Sequence, residues 1–234
     1  MSFWQAALPA AAATAAGLGA WGVAWPTSQL FGRAIARTGR ADTLALTFDD
    51  GPNPAVTPGL LELLERHHVT ASFFLIGRWA RAHAALAREI SARGHLVGNH
   101  TGTHSGTAFL SAARMAAEVR AGAEAIEAAT GIRPRWLRPP FGRRGPAMAR
   151  VAREAGLAGV VMWSRSAHDY RAEPPARVTA RLGRARGGDI LLLHDGDPAR
   201  DGADRTNTLA ALAQLLPRWK DAGLRMVTPD EIVL

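Results

Sequence analysis

Thr43-Leu44-Ala45-Leu46-Thr47-Phe48, followed at once by Asp49-Asp50-Gly51-Pro52, is the stretch on which the reading of the fold turns. The first six residues carry no charge and show no alternation of apolar and polar positions. That pattern belongs to a strand covered on both faces, not to one with a wet side. Two carboxylates then appear together, and Gly51-Pro52 turns the chain away. The same kind of short apolar run recurs at 70–75, 95–98, 135–137, 160–163, 190–193 and 225–227. Helical patterns lie between the runs: Thr57-Pro58 opens one over 59–67, and Ser111 opens an Ala/Glu-rich one that stops at Gly131. Doubly covered strands alternating with helices predict an α/β domain, a distorted (β/α) barrel with about seven parallel strands. An open, doubly wound sheet is the competing closure.

Polar residues fall where such a fold would gather them. Asp49 and Asp50 end the first run, His100 and His104 follow the third, Arg138 the fourth, Asp169 the fifth and His194 the sixth. In either parallel architecture the carboxyl ends of the strands share one face, where active sites form. His100 and His104, four apart on a helix-like turn, can point the same way and share one cation. A carboxylate from the Asp49-Asp50 pair would complete a two-His, one-carboxylate set with positions left open for water and substrate. The ordinary alternative for the aspartates is an acidic turn that caps the next segment. Adjacent carboxylates at a strand end repel unless a cation or an arginine compensates them, and one can bind metal while the other accepts a proton. Arg138, stiffened by Pro139 and Pro140, suits the task of orienting an ionised carboxylate. His194, at the end of an apolar run, has the pKa range of a general acid, and Asp169 could hydrogen-bond it.

Hydrophobic residues make up 47% of the 234-residue chain and charged residues 21%, a globular balance for one domain with a short appendage. There is no cysteine, which excludes disulfides, thiolate metal sites and a Cys nucleophile. The net charge of +8 is spread along the chain and favours anionic partners. No basic run interleaved with aromatics is present, so no nucleic-acid partner is expected. The first 32 residues contain no Asp, Glu, Lys or Arg, and Trp4, Trp21 and Trp25 lie near the ends of the apolar segment 1–25. An N-terminal apolar helix is expected there, acting as membrane anchor or export signal, with a linker at 26–42 and the catalytic domain at 43–234. The alternative is an Ala-rich helix packed on the domain, since Ala is only mildly apolar and Pro9 and three glycines interrupt the run. Arg33, Arg37 and Arg40 follow the segment, and by charge bias alone they would hold the domain on the cytoplasmic side. The expected location is the cell envelope, anchored or exported.

Taken together, 47–52, 100–104, 138–142, 163–170 and 191–195 resemble the motifs of the polysaccharide deacetylase family, the NodB-homology domain of family 4 carbohydrate esterases. The resemblance covers roughly residues 42–230. It implies a distorted seven-stranded (β/α) barrel. It also implies a divalent metal, usually Zn²⁺ with Co²⁺ as an alternative, on Asp50, His100 and His104. Asp49 would be the catalytic base and Arg138 its partner, with His194 the general acid tuned by Asp169. Leu192 and Tyr170 would form an apolar pocket for the acetyl methyl, and the Phe141 N–H would face the oxyanion. The implied reaction removes N-acetyl, or O-acetyl, groups from an amino-sugar polymer such as peptidoglycan or chitin-like oligomers. Two positions depart from the family: Tyr170 stands where Trp is common, and Ser166 where an acidic residue is common. Two rivals share parts of the pattern. An Fe(II) oxygenase uses the same triad of ligands but needs no Arg-paired second Asp and no acid His. A non-catalytic wall-binding module would keep the site as a relic, yet both Asp49 and His194 are retained.

Overall fold

The computed structural model describes residue 17 and residues 19–232. Most of the apolar segment 1–25 therefore lies outside the described residues; of the remainder, 17 and 19–24 are helical. No helix among the described residues is long and apolar enough to cross a membrane.

The run that opened the sequence reading is β2, Thr43–Asp49, and all seven of its residues are buried. It sits in the middle of the sheet with β3 (Ser72–Leu75) on one side and β8 (Ile190–His194) on the other, both parallel to it. Beyond β3 come β4 (Leu96–Asn99), β5 (Trp136–Leu137), β6 (Gly159–Val161) and β1 (Ala34–Ile35), and β7 (Arg165–Ser166) lies beyond β8. β9 (Arg225–Met226) adds to the start of β2. Every strand pair is parallel.

Closure comes from one extended stretch that serves both edges. β6 pairs with β5, and only three residues later β7 pairs with β8. β1 pairs with β6 while Arg37, two residues on, bridges to Asp189 at the foot of β8. The ring is a distorted barrel, as the alternation of runs and helices predicted. β1 and β7 escaped the sequence reading because neither carries a marked apolar run: β1 lies in a short stretch between Arg33 and Arg37, and β7 is the polar pair Arg165-Ser166. Part of the stretch expected as a linker, 26–42, is thus built into the barrel.

Helices cover the outside. Phe48 and Phe73 stack at 5.0 Å under Leu60, Leu61 and Leu64 of the helix Thr57–Arg66, with Leu212, Leu215 and Leu216 of the helix Thr206–Asp221 in the same cluster. Each such leucine, fully out of water, contributes roughly 1.5–3 kcal/mol. The helix Ala112–Thr130 starts where predicted: the Ser111 hydroxyl accepts from the Arg114 N–H, and Gly131 ends it at φ 76°.

Candidate active site

Register places the polar residues before any side chain is considered. Asp49 pairs with His194 across β2 and β8, and Asn99 pairs with Leu137 across β4 and β5. His100 and Arg138, the next residue on each of those strands, therefore emerge side by side. His100 Nδ1 lies 2.7 Å from the Arg138 carbonyl oxygen. With Nδ1–H donating there, Nε2 keeps its lone pair for the cavity, the tautomer a metal ligand needs.

The loop carrying His100 and His104 is not the helical turn expected from their spacing. Thr101 and His104 adopt φ of 71° and 65°, and the backbone runs as an irregular loop. Its groups are satisfied from two helices: the Gly77 and Arg78 N–H groups donate to the carbonyls of Thr101 and Gly102, and the Gly102 N–H donates to Glu118. Asn99 completes the hold, donating from Nδ2 to Val119 and accepting from the Thr101 N–H. Gly122 permits the approach, since a Cβ there would come within 2.3 Å of Asn99 Oδ1. Asp50, Phe141 and His168 also have positive φ, of 72°, 58° and 52°. Such backbone costs on the order of 1–3 kcal/mol per residue and concentrates at functional sites.

Asp50, His100 and His104 are buried and form a set whose ligand atoms lie within 4.8 Å of one another. Asp50 Oδ1 is 3.3 Å from His104 Nε2 and 3.5 Å from His100 Nε2. Ligand atoms at about 2.0–2.2 Å from one tetrahedral ion stand roughly 3.2–3.5 Å apart, so the residues fit a divalent cation. Asp50 Oδ1 is moreover buried without a hydrogen-bond partner, an orphan that a cation would satisfy. The electrostatics agree. Burial opposes the Asp50 charge, but His100, His194 and His104 hold its carboxyl down at about 2. Burial and the His100 charge push His104 down to about 4, leaving it neutral and able to ligate. His100 is opposed by burial as well, yet the Asp49 and Asp50 carboxylates raise it above its usual range. Two buried carboxylates draw one positive charge to this point, be it a proton or a cation.

Asp49 is tied differently. Arg138 Nη1 donates to Asp49 Oδ1 at 2.9 Å and to Thr47 Oγ1 at 2.5 Å, and the Thr47 hydroxyl donates to the Leu191 carbonyl. The guanidinium, fully buried, also donates to the carbonyls of Val161 and Met162 and lies 4.2 Å from the Phe74 ring centroid. It cannot move, so Asp49 Oδ1 is held while Oδ2 remains available, 3.7 Å from His100 Nε2. His194 receives the mirror-image treatment. Asp169 Oδ1 is 2.8 Å from His194 Nδ1, and Asp169 Oδ2 accepts from the His194 N–H and the Thr208 hydroxyl. Burial disfavours the imidazolium, but the Asp169 carboxylate outweighs it and lifts His194 to about 9.

Asp49, Asp50, His100, His104 and His194 line one cavity of about 560 Å³, with Arg138 and Asp169 hydrogen-bonded behind Asp49 and His194. Leu192 lines it as well, with Tyr170 edge-on to His194 at 5.4 Å between ring centroids and Phe141 edge-on to His104 at 4.6 Å. All ten residues singled out in the sequence thus meet in or directly behind one cavity. Sequence reasoning missed Thr47, Thr208, Phe74, Trp163 and Pro26. Thr47 lay inside a quoted motif, and Trp163 opened another; the rest carried no signal. A second network was also missed: Thr57 donates to Asp195, and Asn53 donates to the Asp195 carbonyl, clamping the turn after Asp50 against the end of β8.

A parallel barrel whose strand ends hold a cation cradle between an Arg-paired Asp and an Asp-paired His is the framework of a metal-assisted hydrolase. A profile of polysaccharide deacetylases matches residues 36–160. A peptidoglycan-N-acetylglucosamine deacetylase of Bacillus cereus is 36% identical over 193 residues, covering 81% of this chain and 87% of its own. A chitooligosaccharide deacetylase of Sinorhizobium fredii is 38% identical over 199 residues, covering 82% and 92%. Among solved structures, a family 4 carbohydrate esterase pseudoenzyme from Bacillus anthracis superposes with a TM-score of 0.76 at 27% identity, covering 86% of this chain and 68% of that one. The chain belongs to the polysaccharide deacetylase family. Tyr170, Leu192 and His194, which line the cavity, and Asp169, which is bonded to His194 behind it, lie beyond the profile match, so their convergence is a separate observation.

Proposed function

We propose that the protein hydrolyses the N-acetyl groups of an amino-sugar polymer of the cell envelope, peptidoglycan or a chitin-like oligomer, with O-acetyl esters handled by the same parts. One observation carries this reading: the two charge pairs, Arg138–Asp49 and Asp169–His194, flank the Asp50, His100 and His104 cradle in a single cavity. A divalent ion held by those three residues, Zn²⁺ before Co²⁺, would supply Lewis acidity toward the acetyl carbonyl and toward a water molecule. Asp49 Oδ2 accepts the proton of the attacking water, while Arg138 holds the other oxygen and keeps the group ionised. The Phe141 N–H faces the developing oxyanion. Leu192 and Tyr170 flank the acetyl methyl. His194, its Nδ1 tied to Asp169, offers the proton on Nε2 to the departing amine as the C–N bond breaks. Acetate and a free amino sugar leave.

The membrane and envelope placement rests on the uncharged apolar segment 1–25, read as anchor or export signal. The relic reading, a wall-binding module without turnover, has the likeness to a pseudoenzyme in its favour. Acetate release from a panel of peptidoglycan fragments, chitooligosaccharides and acetylated xylan tests both readings. Turnover that is lost on chelation and restored by Zn²⁺ is expected. Binding with no acetate released from any of them would leave the relic.

A further inference from the structure

Pro26, from the stretch ahead of the barrel, lines the same cavity as Asp49, Asp50, His100 and His104. Its neighbours form a strap over residues 21–32 that is fastened, not draped. The fastener is Arg144, which is buried and follows the cavity-lining pair Phe141-Gly142. Its Nη1 donates to the Gly32 carbonyl at 3.2 Å, its Nη2 to the Ser28 carbonyl, and its backbone N–H to the Val23 carbonyl at 3.4 Å. A planar fork of fixed donors can hold two carbonyls of a strand-less segment at once. Gly32, at φ 102°, closes the approach: a Cβ there would come within 2.6 Å of the Ala149 side chain. The strap therefore keeps one position relative to the Phe141 loop.

Two large rings stand out from it. Trp21 is 50% and Trp25 55% exposed, and the Trp25 N–H donates to the Trp21 carbonyl at 2.9 Å. Residues so bonded, one helical turn apart, share a side of the chain. Two exposed indoles side by side form an apolar surface of the kind that marks a binding site. Continuity with the cavity identifies it: Trp25 adjoins Pro26 on one lip, and the exposed rings of Phe141 and Tyr170 line the same cavity.

We infer that the strap is a binding lip for the polymer, with Trp25 and then Trp21 stacking on sugar units beyond the one being deacetylated. This rests on the proposed action on a sugar polymer. The apolar C–H faces of pyranose rings suit flat aromatic platforms, and a turn of helix, about 5.4 Å, matches the order of spacing between successive sugars.

The test uses the full chain and its Trp25→Ala, Trp21→Ala and double variants on N-acetylglucosamine oligomers of increasing length, with acetate release giving kcat and KM. The KM increase should grow with chain length and reach about three- to tenfold for the longest oligomer in the double variant, with kcat little moved. A KM that rises equally at every length, or at none, overturns the inference. Arg144→Met should give the same length dependence by loosening the strap; should it misfold, the two surface tryptophans still decide. A parallel measurement on anionic phospholipid vesicles addresses the other surface that tryptophans serve. Loss of vesicle binding in the Trp variants with oligomer KM unchanged assigns the patch to lipid and overturns the inference. If the wild-type chain releases no acetate at any length, the proposed function fails. Calorimetric binding of the longest oligomer to the Asp49→Asn protein, with and without Trp25→Ala, then decides the lip alone: equal affinity sinks it.

Discussion

Asp49 and Asp50 are neighbours with the same side chain and opposite surroundings. One carboxylate lies against the Arg138 guanidinium, and the other turns an orphan oxygen toward two imidazoles. Asp49→Asn should keep the metal and lower kcat by about 10²–10⁴-fold, the usual cost of losing a general base. Asp50→Asn should lose metal affinity, with excess metal restoring part of the activity. Metal content by emission spectroscopy alongside kcat separates the two, and the opposite pattern would reverse their roles. His194 provides the pH prediction. Its pKa of about 9 exceeds the ordinary 6.5, so the imidazolium persists through neutrality and kcat on amides should fall as pH rises through about 9. Asp169→Asn removes the carboxylate that holds the charge, so the alkaline limb should move to lower pH. An unmoved limb would remove His194 from the role of acid. The same pair affects stability. The His194 contribution is complete below 6.5 and fades as pH rises through about 9. The Asp169 carboxyl lies below its ordinary 3.8, so its own contribution is lost only as pH falls through that depressed value.

Between strands, loops hold the cradle residues, and helices hold the loops. The His100–His104 segment is an irregular stretch, left-handed at Thr101 and His104, that survives because Asn99, Gly77, Arg78 and Glu118 use up its backbone groups. Gly122 on the helix Ala112–Thr130 is where that helix leaves the loop no room for a side chain. Gly122→Val should push that helix away from Asn99, costing about 1–3 kcal/mol in urea unfolding. It should also weaken metal binding, although the residue touches no ligand. A variant that loses stability but binds metal with unchanged affinity would show that the loop holds its shape without the helix.

For the whole molecule, the cradle joins the end of β2 to the loop after β4, so a cation bound there stabilises the native state and not the unfolded chain. At a free Zn²⁺ concentration 100 times Kd the gain is about 2.7 kcal/mol, or roughly 5–10 °C in melting temperature for a domain of this size. Asp50→Asn should abolish the shift, and a shift of equal size in that variant would place the metal elsewhere. Truncation tests the N-terminal stretch. Removing residues 1–25 should leave a soluble, folded domain, since the barrel begins at β1. Removing residues 1–32 also takes away the Ser28 and Gly32 carbonyls, leaving buried Arg144 donors unpaired at a cost of about 1–3 kcal/mol. Equal stability of the two truncations would show that Arg144 finds water instead.

The seven uninterrupted runs, ending in Asp49-Asp50, His100, Arg138 and His194, were legible in the chain because a parallel strand buried on both faces leaves a dense local signature, and because strand ends collect catalytic groups wherever the barrel closes. The helix limits at Ser111 and Gly131 were legible for the same local reason. What no local pattern contains is which oxygen of which aspartate faces which partner. Arg138 takes Asp49 and not Asp50 because Asp50 turns to φ 72° one residue past the strand, and that turn is held by Asn53, Thr57 and Asp195, the last of them far along the chain. The two short strands that close the ring, the irregular path from His100 to His104, and the strap that brings Pro26 to the cavity were likewise decided by contacts between distant segments. Periodicity reports what a residue does with its near neighbours; tertiary structure decides which distant groups can satisfy a buried charge.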